Sequence, residues 1–185
     1  MAPLGAARAL ITAGGGPSGG LTLLETESAS GKVAVDFDSI SGSTYDVHFL
    51  TYTNLKTGTN SDYTQMRLSN DGGSSFEAGT AYERAVQYGG HNGSFGPSIS
   101  TGTDRFRSLS FANAGTPMSG YVYLYNLGDS SKYSMITHHS TIGSIYMYYG
   151  GQVYNVAETI NAVRILNNSG GNFTAGSVSL YGVEQ

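Results

Sequence analysis

The sequence predicts an all-β fold, a jelly-roll-like β-sandwich, on three observations. Short stretches of alternating apolar and polar residues follow one another from Leu21 to the end, separated by Gly, Asn, Asp and Ser clusters. No stretch keeps the 3.6-residue apolar period of a long helix. The chain of 185 residues is one domain's length, long enough to enclose a two-sheet core, and its strands show no fixed repeat that would indicate a propeller. An immunoglobulin-like sandwich is the alternative; the length and the absence of Cys and Trp count against it.

In chain order, Gly14-Gly15-Gly16-Pro17-Ser18-Gly19-Gly20 is a flexible linker in which proline also bars a continuous helix. It separates an arm and linker, residues 1–20, from a sandwich domain, residues 21–185. The arm is Ala/Leu-rich but too short for a stable isolated helix. Its apolar run is short, carries Arg8 in its middle and leads into glycines, which argues against a cleaved secretion signal. Leu4, Ala6, Ala7, Leu10 and Ile11 are its candidate anchoring contacts to a partner surface.

Eleven strands are expected, at 21–27, 33–38, 44–54, 63–70, 82–88, 105–112, 119–127, 132–140, 142–149, 160–167 and 173–182. In 33–38 the two-residue period sends Val33, Val35 and Phe37 to one face and Asp36 and Asp38 to the other. The same parity puts Met66 and Leu68 inward and Gln65 and Arg67 outward, and makes Val122, Leu124, Val178 and Leu180 core positions. Asn70-Asp71-Gly72-Gly73-Ser74 is the strongest turn signal, and Ala157-Glu158-Thr159-Ile160 could form a single helical turn.

Composition narrows the function. The net charge of −4, with nine Lys and Arg, none clustered in the sequence, argues against nucleic-acid binding. No run approaches the roughly 18–20 apolar residues of a membrane helix. With no cysteine there is no disulfide framework and no thiolate metal site. Glu25, Glu27, Asp36 and Asp38 could supply acid/base or calcium chemistry, but lack the loop spacing of a calcium site and are expected to face solvent. Of the four histidines, His48 and His91 stand alone, while the adjacent His138 and His139 point to opposite faces of a strand and cannot converge on one metal. No serine can be paired from the sequence with a His and an Asp. Asn92-Gly93-Ser94, Asn167-Asn168-Ser169 and Asn172-Phe173-Thr174 fit glycosylation sequons, a pattern frequent by chance in such a composition. No catalytic, cofactor-binding or metal-binding residue is assigned.

Tyrosine is the residue type that points to function. Tyr121, Tyr123 and Tyr125 share one strand face opposite Val122 and Leu124, and Tyr146 and Tyr148 alternate with Ile145 and Met147. Such stripes offer large contact area at low side-chain entropy cost, so these five are the candidate interface; burial in a core is the other expectation, and sugar stacking a third.

The chain resembles a family of tailed-bacteriophage virion proteins found in marine and environmental phages. The likeness rests on the Gly-Ala-Ala-Arg-Ala-Leu arm with its glycine linker, and on Leu21-Thr22-Leu23-Leu24-Glu25-Thr26-Glu27 leading to Val35-Asp36-Phe37 and Ser43-Thr44-Tyr45-Asp46-Val47. It extends through Ser119-Gly120-Tyr121-Val122-Tyr123-Leu124-Tyr125-Asn126, Ile160-Asn161-Ala162-Val163-Arg164-Ile165 and the closing Ala175-Gly176-Ser177-Val178-Ser179-Leu180-Tyr181-Gly182-Val183. The resemblance implies a β-rich, non-enzymatic virion module without cofactors, a head decoration or cement protein or a tail or fibre component. The expected partners are major capsid or tail proteins and further copies of the chain, most simply as a trimer. The alternative is a carbohydrate-binding module of the tail that holds host glycans; an enzyme acting on polysaccharide is more distant.

Overall fold

A computed structural model describes residues 20–60, 62–143 and 146–184. The arm residues Leu4, Ala6, Ala7, Leu10 and Ile11 lie outside the described residues. Twelve strands form: β1 (Leu21–Ser28), β2 (Ala34–Phe37), β3 (Val47–Thr57), β4 (Asp62–Ser69), β5 (Tyr82–Gly90), β6 (Phe95–Thr103), β7 (Phe106–Ala112), β8 (Met118–Tyr125), β9 (Tyr133–Ile142), β10 (Tyr146–Ala157), β11 (Ala162–Asn167) and β12 (Phe173–Val183).

Their pairing is nested. β1 pairs with β12, β2 with β11, β3 with β8 and β4 with β7, all antiparallel. A long ribbon paired in this way and wrapped on itself puts β1-β12-β3-β8 in one sheet and β2-β11-β4-β7 in the other, which is a jelly roll rather than an immunoglobulin-like arrangement. Two hairpins interrupt the ribbon, β5–β6 between β4 and β7 and β9–β10 between β8 and β11. Both add to the free side of β8, so the first sheet runs β1-β12-β3-β8-β9-β10-β5-β6 while the second keeps four strands. β7, the edge strand of the smaller sheet, packs across β9, β10 and β5 of the larger one.

The core between the sheets follows the expected parity. Val35, Phe37, Met66, Leu68, Val122, Leu124, Val178 and Leu180 are all fully buried, alongside Leu50, Phe106, Leu109, Ile165 and Phe173. Two expectations are corrected, at Val33 and at residues 157–160, and Gln65 differs in burial alone. Val33 precedes β2 and is exposed. Gln65 takes the face opposite Met66 but is buried there, because Arg105 donates to its Oε1 and its Nε2 donates to Asn168. Residues 157–160 form no helical turn: Ala157 ends β10 and the rest is irregular, with Glu158 accepting from the Tyr154 hydroxyl at 2.6 Å.

Strand β6 was not expected, since Gly96, Pro97 and Gly102 weaken its pattern. It forms as an edge with β5 as its single partner, where proline costs the ladder least. The strand expected over 142–149 instead starts at Tyr146 and runs on through Gly150-Gly151 to Ala157. At the sandwich end, Gly42 of the β2–β3 loop and Gly128 of the β8–β9 loop touch backbone to backbone, and a methyl on either would overlap the other chain segment. Gly128→Ala should therefore lower stability by about 1–3 kcal/mol, read as a reduced urea midpoint with unchanged m-value.

Candidate functional site: the outer aromatic face

The core alternation turns every second residue of the large sheet outward, and register then decides which of them meet. Phe49 of β3 lies between Tyr181 of β12 and Tyr123 of β8, and Tyr121 lies between Thr51 of β3 and His139 of β9. His139 is in turn paired with Tyr149 of β10. The rings touch in sequence: Phe49–Tyr181 at 6.1 Å, Phe49–Tyr123 at 4.7 Å, Tyr121–Tyr123 at 5.9 Å, Tyr121–His139 at 6.0 Å, His139–Tyr149 at 6.3 Å and Phe95–Tyr149 at 6.4 Å. Tyr125 stacks on Tyr123 at 6.3 Å and bonds Thr137 through its hydroxyl. The result is one aromatic band from β12 to β6. At about 4.8 Å between strands it runs roughly 30 Å across the sheet.

The band is exposed and nearly free of charge. Tyr121 and Tyr149 are each 38% exposed and Met135 is 42% exposed. The outward positions of β8, β9 and β10 carry no Asp, Glu, Lys or Arg; Glu83 of neighbouring β5 is held by Asn155 at 3.0 Å. Beside the tyrosines Gly151, which has no side chain, and the methyl group of Ala85 leave a shallow apolar depression of about 650 Å³, rimmed by Tyr125, Met135 and Val153. The imidazole of His139 meets the Tyr121 and Tyr149 rings edge-on within the band. What the face can do is bury apolar area.

Of the five expected interface tyrosines, Tyr121, Tyr123 and Tyr125 point outward on β8. Tyr146 and Tyr148 do not: Met147 and Tyr149 take the outward positions, Tyr148 is 5% exposed and belongs to the core cluster, and Tyr146 packs against it. Ring contacts with Tyr63, Tyr88 and Phe111 hold these two inside. Burial raises the pKa of the Tyr148 hydroxyl. Phe49, Tyr149, Tyr181 and Met135 are contributors that the sequence reading did not single out. Alternation within their own strands was the available signal; adjacency came only with register.

The remaining candidates are placed as separate features. Asp36 is bound through both oxygens by Arg164 at 2.7 Å, Glu25 accepts from Ser39 and Glu27 pairs with Lys32, so the acidic residues serve different local contacts. Among the described residues no three His, Asp or Glu side chains gather to hold a metal ion. His138 and His139 take opposite faces of β9, as expected, with His138 buried within the sandwich. His48 is also fully buried, packed edge-on against Tyr45 at 5.9 Å with neither ring nitrogen hydrogen-bonded. Burial lowers both imidazoles to about 4, with the neighbouring His139 adding to the effect at His138. No protein-family model matches the chain, and no curated protein matches it.

Proposed function

We propose that the chain is a non-enzymatic structural protein of a bacteriophage virion, a head decoration or tail component that assembles as a homotrimer through the outer face of its eight-stranded sheet. The observation that carries this reading is the continuous, uncharged aromatic band. Monomeric proteins rarely leave so large an apolar surface in water, and burying it between symmetric copies removes that cost. Charge favours a further copy as the occupant. Each chain carries a formal −4, and joining through the strip that lacks carboxylates keeps like charges apart. The jelly roll suits this role, because its rigid sheets present a fixed surface while the resemblance described above connects the whole chain to virion proteins.

Light scattering tests the assembly. The wild-type protein should be a trimer at micromolar concentration, and Tyr121→Glu combined with Tyr149→Glu should yield a monomer with an unchanged circular-dichroism spectrum. A wild-type monomer would remove the outer face from consideration. Quantitative mass spectrometry of purified particles tests the location: hundreds of copies per particle place the protein on the head, a few to tens on the tail. Absence from particles would overturn the virion reading.

A further inference from the structure

Five aromatic side chains from four strands close into one circuit where the edge of the smaller sheet lies over β10 and β5 of the larger. Tyr148 and Tyr88 are register partners on β10 and β5, and Tyr146 shares the face of Tyr148. Tyr63 of β4 and Phe111 of β7 are partners across the smaller sheet. The ring centroids run Tyr148–Tyr63 at 6.4 Å, Tyr63–Phe111 at 5.0 Å, Phe111–Tyr146 at 6.1 Å, Tyr146–Tyr88 at 6.4 Å and Tyr88–Tyr148 at 5.9 Å. Four of these pairs cross at 61–90°, so the circuit turns at each of them instead of stacking. The five rings line a cleft of about 290 Å³, with Ser98 of β6 on its wall and exposed Pro97 at its open side.

The cleft is blind toward the middle of the sheet. The next inward position of β5 after Tyr88 is Val86, which stands opposite Gly150 and Ser98 and is fully buried. There the hydroxyls of Ser98 and of buried Ser108 on β7 approach to 3.4 Å. Arg84, two residues further along that face, lies beyond this stop and outside the lining. A stopped cleft admits a small molecule or the end of a chain, not the middle of an extended polymer.

Among the described residues no charged side chain lines the cleft. An ion would lose its hydration here without a counter-ion to replace it, so the ligand that fits is neutral. The hydroxyls decide its polarity. Other buried tyrosines of the fold bond outside their own cluster: Tyr52 donates to the Leu109 carbonyl at 3.2 Å and Tyr154 to Glu158 at 2.6 Å. Tyr148 is only 5% exposed, and the groups gathered around its hydroxyl are the phenols of Tyr63, Tyr146 and Tyr88. The Tyr88 phenol lies directly over Gly96, its partner on β6. An apolar ligand would cover these hydroxyls and leave them unpaired, whereas a sugar supplies donors and acceptors around its rim and flat C–H faces for the rings. A polyproline segment also suits phenols, but it is an extended rod that needs a groove open at both ends.

We propose that this cleft binds the terminal ring of a neutral saccharide, its hydroxyls bonded by the tyrosine phenols and its C–H faces packed against the aromatic rings. The site lies on the inward side of β5 and β10, opposite the aromatic band, and does not depend on the assembly role.

Calorimetric titration of the full chain tests it, with maltose, lactose, cellobiose and N,N′-diacetylchitobiose as neutral probes and 3′-sialyllactose, choline, decaproline and cyclohexanol as comparators. At least one neutral disaccharide should bind at a single site per chain, more tightly than every comparator. Tyr148→Phe, which deletes one hydroxyl and keeps the buried ring, should weaken that binding about fivefold at an unchanged melting temperature. Gly96→Ala should weaken it as well, because its methyl would stand 2.8 Å from the Tyr88 hydroxyl and push that ring into the cleft. Arg84→Gln and the Tyr121→Glu, Tyr149→Glu variant should bind as the wild type does, which separates the cleft from the neighbouring arginine and from assembly. No disaccharide binding, a comparator that binds as tightly, wild-type affinity in Tyr148→Phe or in Gly96→Ala, or lost binding in Arg84→Gln would each overturn the assignment.

Discussion

Leu124→Ala and Leu180→Ala should each lower the unfolding free energy by about 2–5 kcal/mol, measured by urea denaturation. Both side chains are fully buried on neighbouring parts of the large sheet, Leu180 opposite Leu50 of β3 and Leu124 opposite His48 of the same strand. They face the smaller sheet, so truncation leaves a void bounded by two sheets whose hydrogen-bonded ladders resist collapse into it. Asp36→Ala provides the contrast. It removes a two-pronged ion pair with Arg164, but both partners are well exposed, with side chains 45% and 35% accessible, and solvent screening limits the loss to under about 1 kcal/mol. If Asp36→Ala proved the more damaging change, the assignment of inward and outward faces would be wrong.

Acidification should destabilise the fold before its carboxylates begin to titrate. In the unfolded chain His48 and His138 take up protons near 6.5, whereas in the folded chain burial delays this to about 4. Over that window the unfolded state binds more protons, so stability is complete above about pH 6.5 and falls as the pH drops toward 4. At about 1.4 kcal/mol per pKa unit, the loss is on the order of 3 kcal/mol for each ring. Gln152, whose Nε2 approaches His138 Nε2 at 3.4 Å, brings no negative charge to offset it. The carboxylates act lower on the scale. Hydrogen bonds from Ser75 and Ser69 hold Asp71 at about 2, and Arg105, with Arg107 and Arg67, holds Asp104 well below the usual carboxylate range. Urea midpoints measured from pH 7.5 to 4.5 should therefore decline, and His48→Phe should remove roughly half of the slope. Constant midpoints over this range would show that the imidazoles are protonated in place.

Local chemistry was enough to read several parts of this protein from its sequence. The strict alternation Val122-Leu124 against Tyr121-Tyr123-Tyr125 assigned both faces of β8, because side chains in a strand have no other choice of direction. Val35, Phe37, Met66, Leu68, Val178 and Leu180 followed by the same rule, and the two sides taken by His138 and His139 did as well. Where the local signal was ambiguous, packing decided. Gly150-Gly151 continues a strand because β5 and β9 pair with it on both sides, β6 forms at an edge despite Pro97, and Gln65 is covered on the outer face by Arg105 and Asn168. Parity in β10 put Tyr146 and Tyr148 inside, since Met147 and Tyr149 hold the alternate positions. The outer aromatic face depends on register between strands far apart in the chain: Phe49 meets Tyr181 of β12 and Tyr123 of β8. The sequence determined which residues share a face of one strand, a property of successive peptide units. Which faces and which charges come together was decided only by the nested pairing of the twelve strands, because adjacency across a sheet is set by hydrogen bonding between distant segments.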